Sequence, residues 1–334
     1  MRRKALPLLA LATTLFLGAA GGLAQEAKEI NFGVISTEST QNLRSIWNPF
    51  LQDMEERTGL RVNAFFAPDY AGIIEGMRFD KVQVAWFGNK SAMEAIDRAS
   101  GQIFAQSVDV EGNPGYWSVL IVPKDSQLSS LQDVLACEKN LDFGIGDPNS
   151  TSGFLVPTTF IFAENDINPK ECFETVRSAN HETNAMAVAN QQVDVATNNT
   201  ENMRRLRETN PEAYAKIKEI WRSPLIPSDP LVWREDLERD LKEKIYYFVL
   251  SYGRLGTPEQ VRKEREILAG LGWAPFQPSS DAQLYPIRKM ELHKQIMSLQ
   301  ADSRLAKDEK ASQISKLKAQ ISKVSELQEQ LPGM

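Results

Sequence analysis

Strand-like and helix-like segments alternate along most of this chain, and that alternation restricts the fold more than any other feature. Residues 31–36 (NFGVIS) read as strand and 43–57 as helix; 61–66 (RVNAFF) read as strand and 71–78 as helix. Residues 82–87 (VQVAWF) and 92–98 repeat the pattern, and 116–122 (YWSVLIV) is a longer apolar strand. A second series follows: strand 141–145, helix 151–163, strand 174–178, helix 183–191, strand 193–197, helix 201–208. Alternation at this spacing predicts an α/β fold of parallel βαβ units with helices covering the sheet.

Two extended stretches interrupt the pattern, near 116–123 and over 220–233, where Pro224, Pro227 and Pro230 forbid a helix. They predict a two-lobed protein in which the chain leaves lobe one, builds lobe two and returns. The expected division is lobe one from 25–119 and 228–288, lobe two from 120–227, and a helical arm from 289–334. In the arm, Leu292, Ile296 and Leu299, then Ile314, Leu317, Ile321 and Val324, recur at three- and four-residue spacing. The arm could pack on the body or self-associate into a homodimer.

Residues 1–24 are expected to be a signal peptide. Arg2, Arg3 and Lys4 precede the apolar run 5–17, and small residues lead to a cut after Ala24. The run is short for a membrane span of about 20 residues, and no Cys follows the cut to take a lipid. Cleavage removes three cations and no acid, so the formal charge goes from −6 to −9. An acidic exported protein does not coat nucleic acid, which needs many Lys and Arg. In an oxidising compartment Cys137 and Cys172 can pair or stay free; each lies just before a strand of one region, which favours pairing.

Ligands of parallel α/β sheets sit beyond the carboxyl ends of the strands. At one such end lies GDPNSTSG (146–153). Asp147-Pro148 turns the chain and Ser150 is a good N-cap. The N–H groups of 151–153 and the hydroxyls of Ser150, Thr151 and Ser152 then make an anion site at the positive end of a helix. Alone this would be an ordinary capped helix. His181 and Asn198–Glu201 follow the next two strands, and Tyr70 and Gly88–Asn89 follow strands of the first series. Tyr116 and Asp229 lie on the extended segments and could face the cleft. Their plain alternatives are a loop histidine, packed tyrosines and a turn-forming aspartate before Pro230.

The segments APDYAGIIEGMRF (67–79), GYWSVLIV (115–122), GDPNSTSGFLVP (146–157), HETNAMAVANQQVDVATNNTEN (181–202) and SPLIPSDPLVWR (223–234) occur in one order. Together they resemble the periplasmic phosphonate-binding proteins of bacterial ABC importers, over roughly 29–287. The resemblance implies a type II-like, two-lobed periplasmic binding protein fold with two hinge strands. It implies delivery of the ligand to a membrane permease driven by an ATPase, with no cofactor and no catalysis. Carried over by motif, Ser150, Thr151 and Ser152 bind phosphonate oxygens together with Tyr70 and His181. Tyr116, Glu201 and Asp229 receive the amino group of a ligand like 2-aminoethylphosphonate. Phe87 departs from the Tyr expected there and bears on the lining near that strand tip. The two cysteines also fall outside the family pattern.

Other readings fit less well. A hydrolase built from Ser150 or Ser152 with His181 lacks a G-x-S-x-G elbow. Two histidines and two cysteines lack metal-ligand spacing. Phosphate, phosphite or a sulfonate are alternative cargoes, but Glu201 and Asp229 favour a cationic tail. A purely structural exported protein would not cluster polar residues at strand tips.

Overall fold

The structure, a computed structural model, describes residues 28–302 and 304–331; the expected signal peptide lies outside them. The strands of its first half are β1 (Glu29–Val34), β2 (Arg61–Phe66), β3 (Val84–Trp86), β4 (Gly101–Asp109), β5 (Gly115–Tyr116) and β6 (Ser118–Pro123). Those that follow are β7 (Asp142–Ile145), β8 (Thr175–Ser178), β9 (Val195–Asn199), β10 (Ile217–Arg222), β11 (Ile226–Pro227), β12 (Pro230–Arg234) and β13 (Trp273–Pro278).

They form two main sheets, the cores of two lobes. The first has the order β13-β4-β12-β3-β1-β2 and the second β10-β6-β9-β7-β8. The expected parallel units are present at β1 with β2 and β3, and at β7 with β8 and β9. The sheets are nevertheless mixed. β12 returns from the second lobe and inserts antiparallel between β3 and β4, and β13 adds antiparallel to β4. In the second sheet β6 enters antiparallel to β9, and β10 leaves antiparallel to β6.

The predicted strand 116–122 is two strands in different sheets. Tyr116 pairs with Ile226, whereas Ser118 pairs with Asn199. Trp117 is the point of crossing. The return crossing is broken likewise into β10, β11 and β12, and β5 and β11 pair with each other where the chain passes between lobes. At Gly115 a Cβ would sit 2.0 Å from the Ile226 carbonyl oxygen. Only glycine permits that approach.

Local chemistry explains the helices that aim at the cleft. Ser39 caps helix Thr40–Thr58 by accepting the Asn42 N–H, and Gly59 ends it at φ 67°. Leu43, Trp47, Phe50, Leu51 and Met54 form its buried face. Trp47 and Phe50 meet Phe32, Trp86, Trp273, Phe248 and Tyr252 in tilted and edge-to-face contacts that fill the first lobe. Phe87 is fully buried in this core and is not on the cavity wall, contrary to its expected effect on the lining.

Phe143, Phe162 and Phe173 make the smaller aromatic core of the second lobe. Beside them Cys137 and Cys172 form a disulfide across 35 positions. The arm is two helices, Tyr285–Ala301 and Lys307–Glu329, and the second has no buried residue.

Candidate functional site

β7 ends at Ile145, and the chain turns tightly over Asp147. Its carboxylate accepts the Asn149 N–H at 2.7 Å, and its carbonyl accepts the Ser150 N–H at 2.8 Å. Gly146 donates to the Gly153 carbonyl at 2.8 Å, so close that a Cβ on Gly146 would lie 2.5 Å from the Gly153 Cα. Ser150 Oγ caps the following turn by accepting the Gly153 N–H at 3.0 Å.

That turn is wider than an α-helix. Leu155 and Val156 donate to the carbonyls of Ser150 and Thr151, five residues back. π-Helical turns of this kind recur at functional sites. The first N–H groups have no acceptor within the helix, and Ser150, Thr151 and Ser152 are each 2% exposed. The expected regular helix over 151–163 is therefore two π-helical turns, Thr151–Leu155 and Thr158–Phe162.

The other lobe approaches directly. The Lys90 N–H donates to Thr151 Oγ1 at 2.8 Å, and the Tyr70 N–H to the Asp147 carboxylate at 3.3 Å. Tyr70 is the first residue of helix Tyr70–Arg78, capped by Asp69, and its ring is buried. Burial, reinforced by the carboxylates of Asp229 and Asp147, pushes its phenol upward, so it stays an O–H donor.

His181 is not a loop residue. It opens helix His181–Ala189 behind the N-cap Asn180, and it is buried. Its Nε2 lies 3.2 Å from Asn199 Nδ2 and 3.5 Å from the hydroxyls of Ser150 and Ser152. Asn199 Oδ1 is committed to capping the next helix through the Asn202 N–H at 2.7 Å. The amide must therefore present its NH2 to the ring. We assign Nε2 as the acceptor and place the ring proton on Nδ1, which has no partner among the described residues. Burial lowers the histidine to about 4, so the ring is neutral at neutral pH.

The acids sit in the same enclosure. Tyr116 on β5 donates its O–H to Asp229 at 2.9 Å, and both are buried. Burial, and then the neighbouring Glu201, push Asp229 well above the usual carboxylate range. Glu201 follows Thr200 at the start of helix Thr200–Thr209. It keeps some accessible surface, which faces the cavity. Burial raises it to about 7, opposed by Arg204 and Arg205 and by a hydrogen bond with Trp273, and reinforced by Asp109. The two carboxylates titrate as a pair.

One cavity unites Tyr70, Tyr116, Ser150, Thr151, Ser152, His181, Glu201 and Asp229, all eight residues singled out from the sequence. Its free volume is small, about 30 Å³. Glu38, Trp86, Asn202, Arg205 and Trp273 also line it and were not anticipated. Glu38 follows the tip of β1, so the strand-end rule applied to the first strand would have found it. Trp273 begins a strand that the sequence reading did not recognise.

The arrangement does not resemble a hydrolytic triad. The serine hydroxyls stand 3.5 Å from His181 Nε2, which faces an amide, and no acid orients Nδ1 among the described residues.

Comparison with known proteins agrees with this geometry. The profile of the family "ABC transporter, phosphonate, periplasmic substrate-binding protein" matches residues 32–284. The Phosphonates-binding periplasmic protein of Escherichia coli strain K12 is 55% identical over 310 residues, 93% of this chain and 90% of that protein. A crystal structure of a binding protein component of an ABC phosphonate transporter from Pseudomonas aeruginosa superposes with a TM-score of 0.86 at 54% identity. It covers 90% of this chain and 98% of that one. A Prochlorococcus marinus protein in complex with methylphosphonate shares the fold, with a TM-score of 0.70 at 21% identity over 80% of this chain and 99% of that one. The chain belongs to the periplasmic phosphonate-binding proteins that serve ABC transporters.

Proposed function

We propose that the preferred ligand is a zwitterionic aminoalkylphosphonate of the 2-aminoethylphosphonate type. The observation that carries this reading is one small cavity holding both a cluster of hydroxyl and N–H donors and the carboxylates of Glu201 and Asp229, which unlike Glu38 have no arginine paired to them among the described residues. The N–H groups of Thr151 and Ser152 and the hydroxyls of Ser150, Thr151 and Ser152 hold the phosphonate oxygens, with the Tyr70 hydroxyl. His181 Nε2, an acceptor here, takes the O–H of a monoanionic phosphonate in place of the Asn199 amide. Neutral donors suffice because each bond to an oxyanion is charge-assisted. Glu201 and Asp229 receive the ammonium group, and Tyr116 holds Asp229 in place through its O–H. An arriving ammonium displaces the proton that the buried carboxylate pair retains, whereas a ligand without one meets repulsion or an unpaired acid.

The protein then presents its ligand to the permease and ATPase of the importer and leaves it chemically unchanged. We further propose that residues 1–24 direct export and are removed after Ala24; the mass of the mature protein tests this. The exposed second helix of the arm is a candidate surface for self-association, and light scattering of full-length and arm-deleted protein tests that.

Titration calorimetry tests the ligand. 2-Aminoethylphosphonate should bind one to one and more tightly than ethylphosphonate, methylphosphonate or inorganic phosphate. Equal affinity for the amino and ethyl compounds would remove the role given to Glu201 and Asp229.

A further inference from the structure

Several contacts join the two lobes at and beyond the cavity wall, and three side chains of the second lobe make most of them. Helix Thr200–Thr209 starts in the cavity with Glu201. On its next turn Arg204 and Arg205 reach across to the first lobe. Arg204 pairs with Asp109 at 2.8 Å and donates to the Gly272 carbonyl at 3.1 Å. Arg205 pairs with Glu38 at 2.8 Å and donates to the Leu271 carbonyl at 3.1 Å. From the neighbouring helix His181–Ala189, Glu182 accepts the Ser39 N–H at 2.6 Å and the Asn42 side-chain amide at 2.7 Å. It thereby places a carboxylate on the positive end of helix Thr40–Thr58.

The two arginine pairs are not loose surface contacts. The side chains of Arg204 and Asp109 are 13% and 4% exposed, and those of Arg205 and Glu38 17% and 8%. Asp109 is also held within its own lobe by the Glu111 N–H at 2.7 Å and Asn113 at 3.2 Å. That end of the contact is already formed before the lobes meet.

We infer that Glu182, Arg204 and Arg205 are positioning residues that act as an inter-lobe latch. They set how long a bound ligand is retained, while the cavity residues set which ligand is preferred. Arg205 also lines the cavity, and Arg204 acts electrostatically on Glu201. Glu182 is therefore the cleanest probe.

The kinetic arm of the test rests on the phosphonate reading and uses stopped-flow binding of 2-aminoethylphosphonate and ethylphosphonate. Glu182→Ala should speed dissociation of both ligands by about five- to tenfold, the loss expected for charge-assisted bonds at a helix terminus. Association rates and the ratio of the two affinities should stay within about twofold. Asn42→Ala should speed dissociation in the wild type and add little to Glu182→Ala, because the two side chains share one contact. Arg204→Gln should act in the same direction, and Arg204→Lys should recover part of the loss. Unchanged dissociation, a selectivity ratio altered by Glu182→Ala, or full additivity of Glu182→Ala with Asn42→Ala would overturn the latch. A wild type that binds neither phosphonate would sink the ligand reading instead. Small-angle scattering then decides on the latch without ligand: Glu182→Ala/Arg204→Gln must have a larger radius of gyration than the wild type, and equal radii overturn it.

Discussion

Replacing Glu201 by Gln changes the charge at one end of the cavity while keeping its shape. The amide oxygen can still accept from Trp273, which is bonded to the Glu201 side chain in the wild type. At pH 8 the wild-type carboxyl, raised to about 7, is mainly ionised and ready to pair with an ammonium. Removing one partner of such an enclosed pair costs about 2–5 kcal/mol. A central value of about 3 kcal/mol corresponds to roughly a hundredfold loss of affinity for 2-aminoethylphosphonate. Ethylphosphonate brings no cation, and for it the substitution removes an unpaired negative charge near an anion. Its affinity should hold or improve. The assay is titration calorimetry of both ligands at pH 8, and the decisive quantity is the ratio of their affinities. That ratio should fall by about two orders of magnitude. If both ligands weaken by the same factor, Glu201 supports the cavity generally and does not read the cation.

The same carboxyl sets a pH dependence. The ligand needs the ionised form, so below about 7 a proton must first leave; the preference for 2-aminoethylphosphonate over ethylphosphonate should drop as pH falls from 8 to 6 in the wild type and stay flat in Glu201→Gln. Because the folded protein raises this carboxyl above its ordinary value, it takes up more protons than the unfolded chain, and stability is lost as pH rises from 4.5 through about 7. Glu201→Gln should accordingly raise the Tm of the ligand-free protein more at pH 8 than at pH 5, and an equal shift at both would contradict the assignment. Gly153→Ala puts a Cβ 2.9 Å from Ser150 Oγ and 3.1 Å from His181 Cε1, so in calorimetry it should weaken every phosphonate at least about tenfold while leaving their order unchanged. Reducing the Cys137–Cys172 bond, which spans 35 positions, should destabilise the second lobe by about 3–4 kcal/mol, read as a lower denaturation midpoint in reductant; an unchanged midpoint would show that the bridge contributes nothing.

Strand-end logic, together with the two extended crossings, picked out eight of the residues that line the cavity, because strand tips and crossings meet at its wall. Their grouping was legible for that reason, while the roles came from the resemblance to a family. Other features leave no mark on local sequence. β4 carries Gln102, Gln106 and Ser107 among its apolar residues, which blurs the strand pattern. The break at Trp117 depends on which distant strand each neighbour meets. His181 looks like a loop residue until Asn180 is recognised as a cap. Arg204 and Arg205 read as solvated charges on an amphipathic helix, and only the other lobe reveals Asp109 and Glu38 as their partners. Phe87 directly follows β3 at the cavity's level, yet its side chain turns into the core.

The short pairing of β5 with β11 has a mechanical consequence. Both chain crossings are bonded to each other at Gly115–Tyr116 and Ile226–Pro227, so neither connection can twist alone. The lobes are left with essentially one rotational degree of freedom, like two covers bound along a single spine. Opening then has one coordinate, and any pair of probes spanning the cleft reports the same quantity. Two donor–acceptor dye pairs placed at different heights across the cleft should give superimposable ligand titrations.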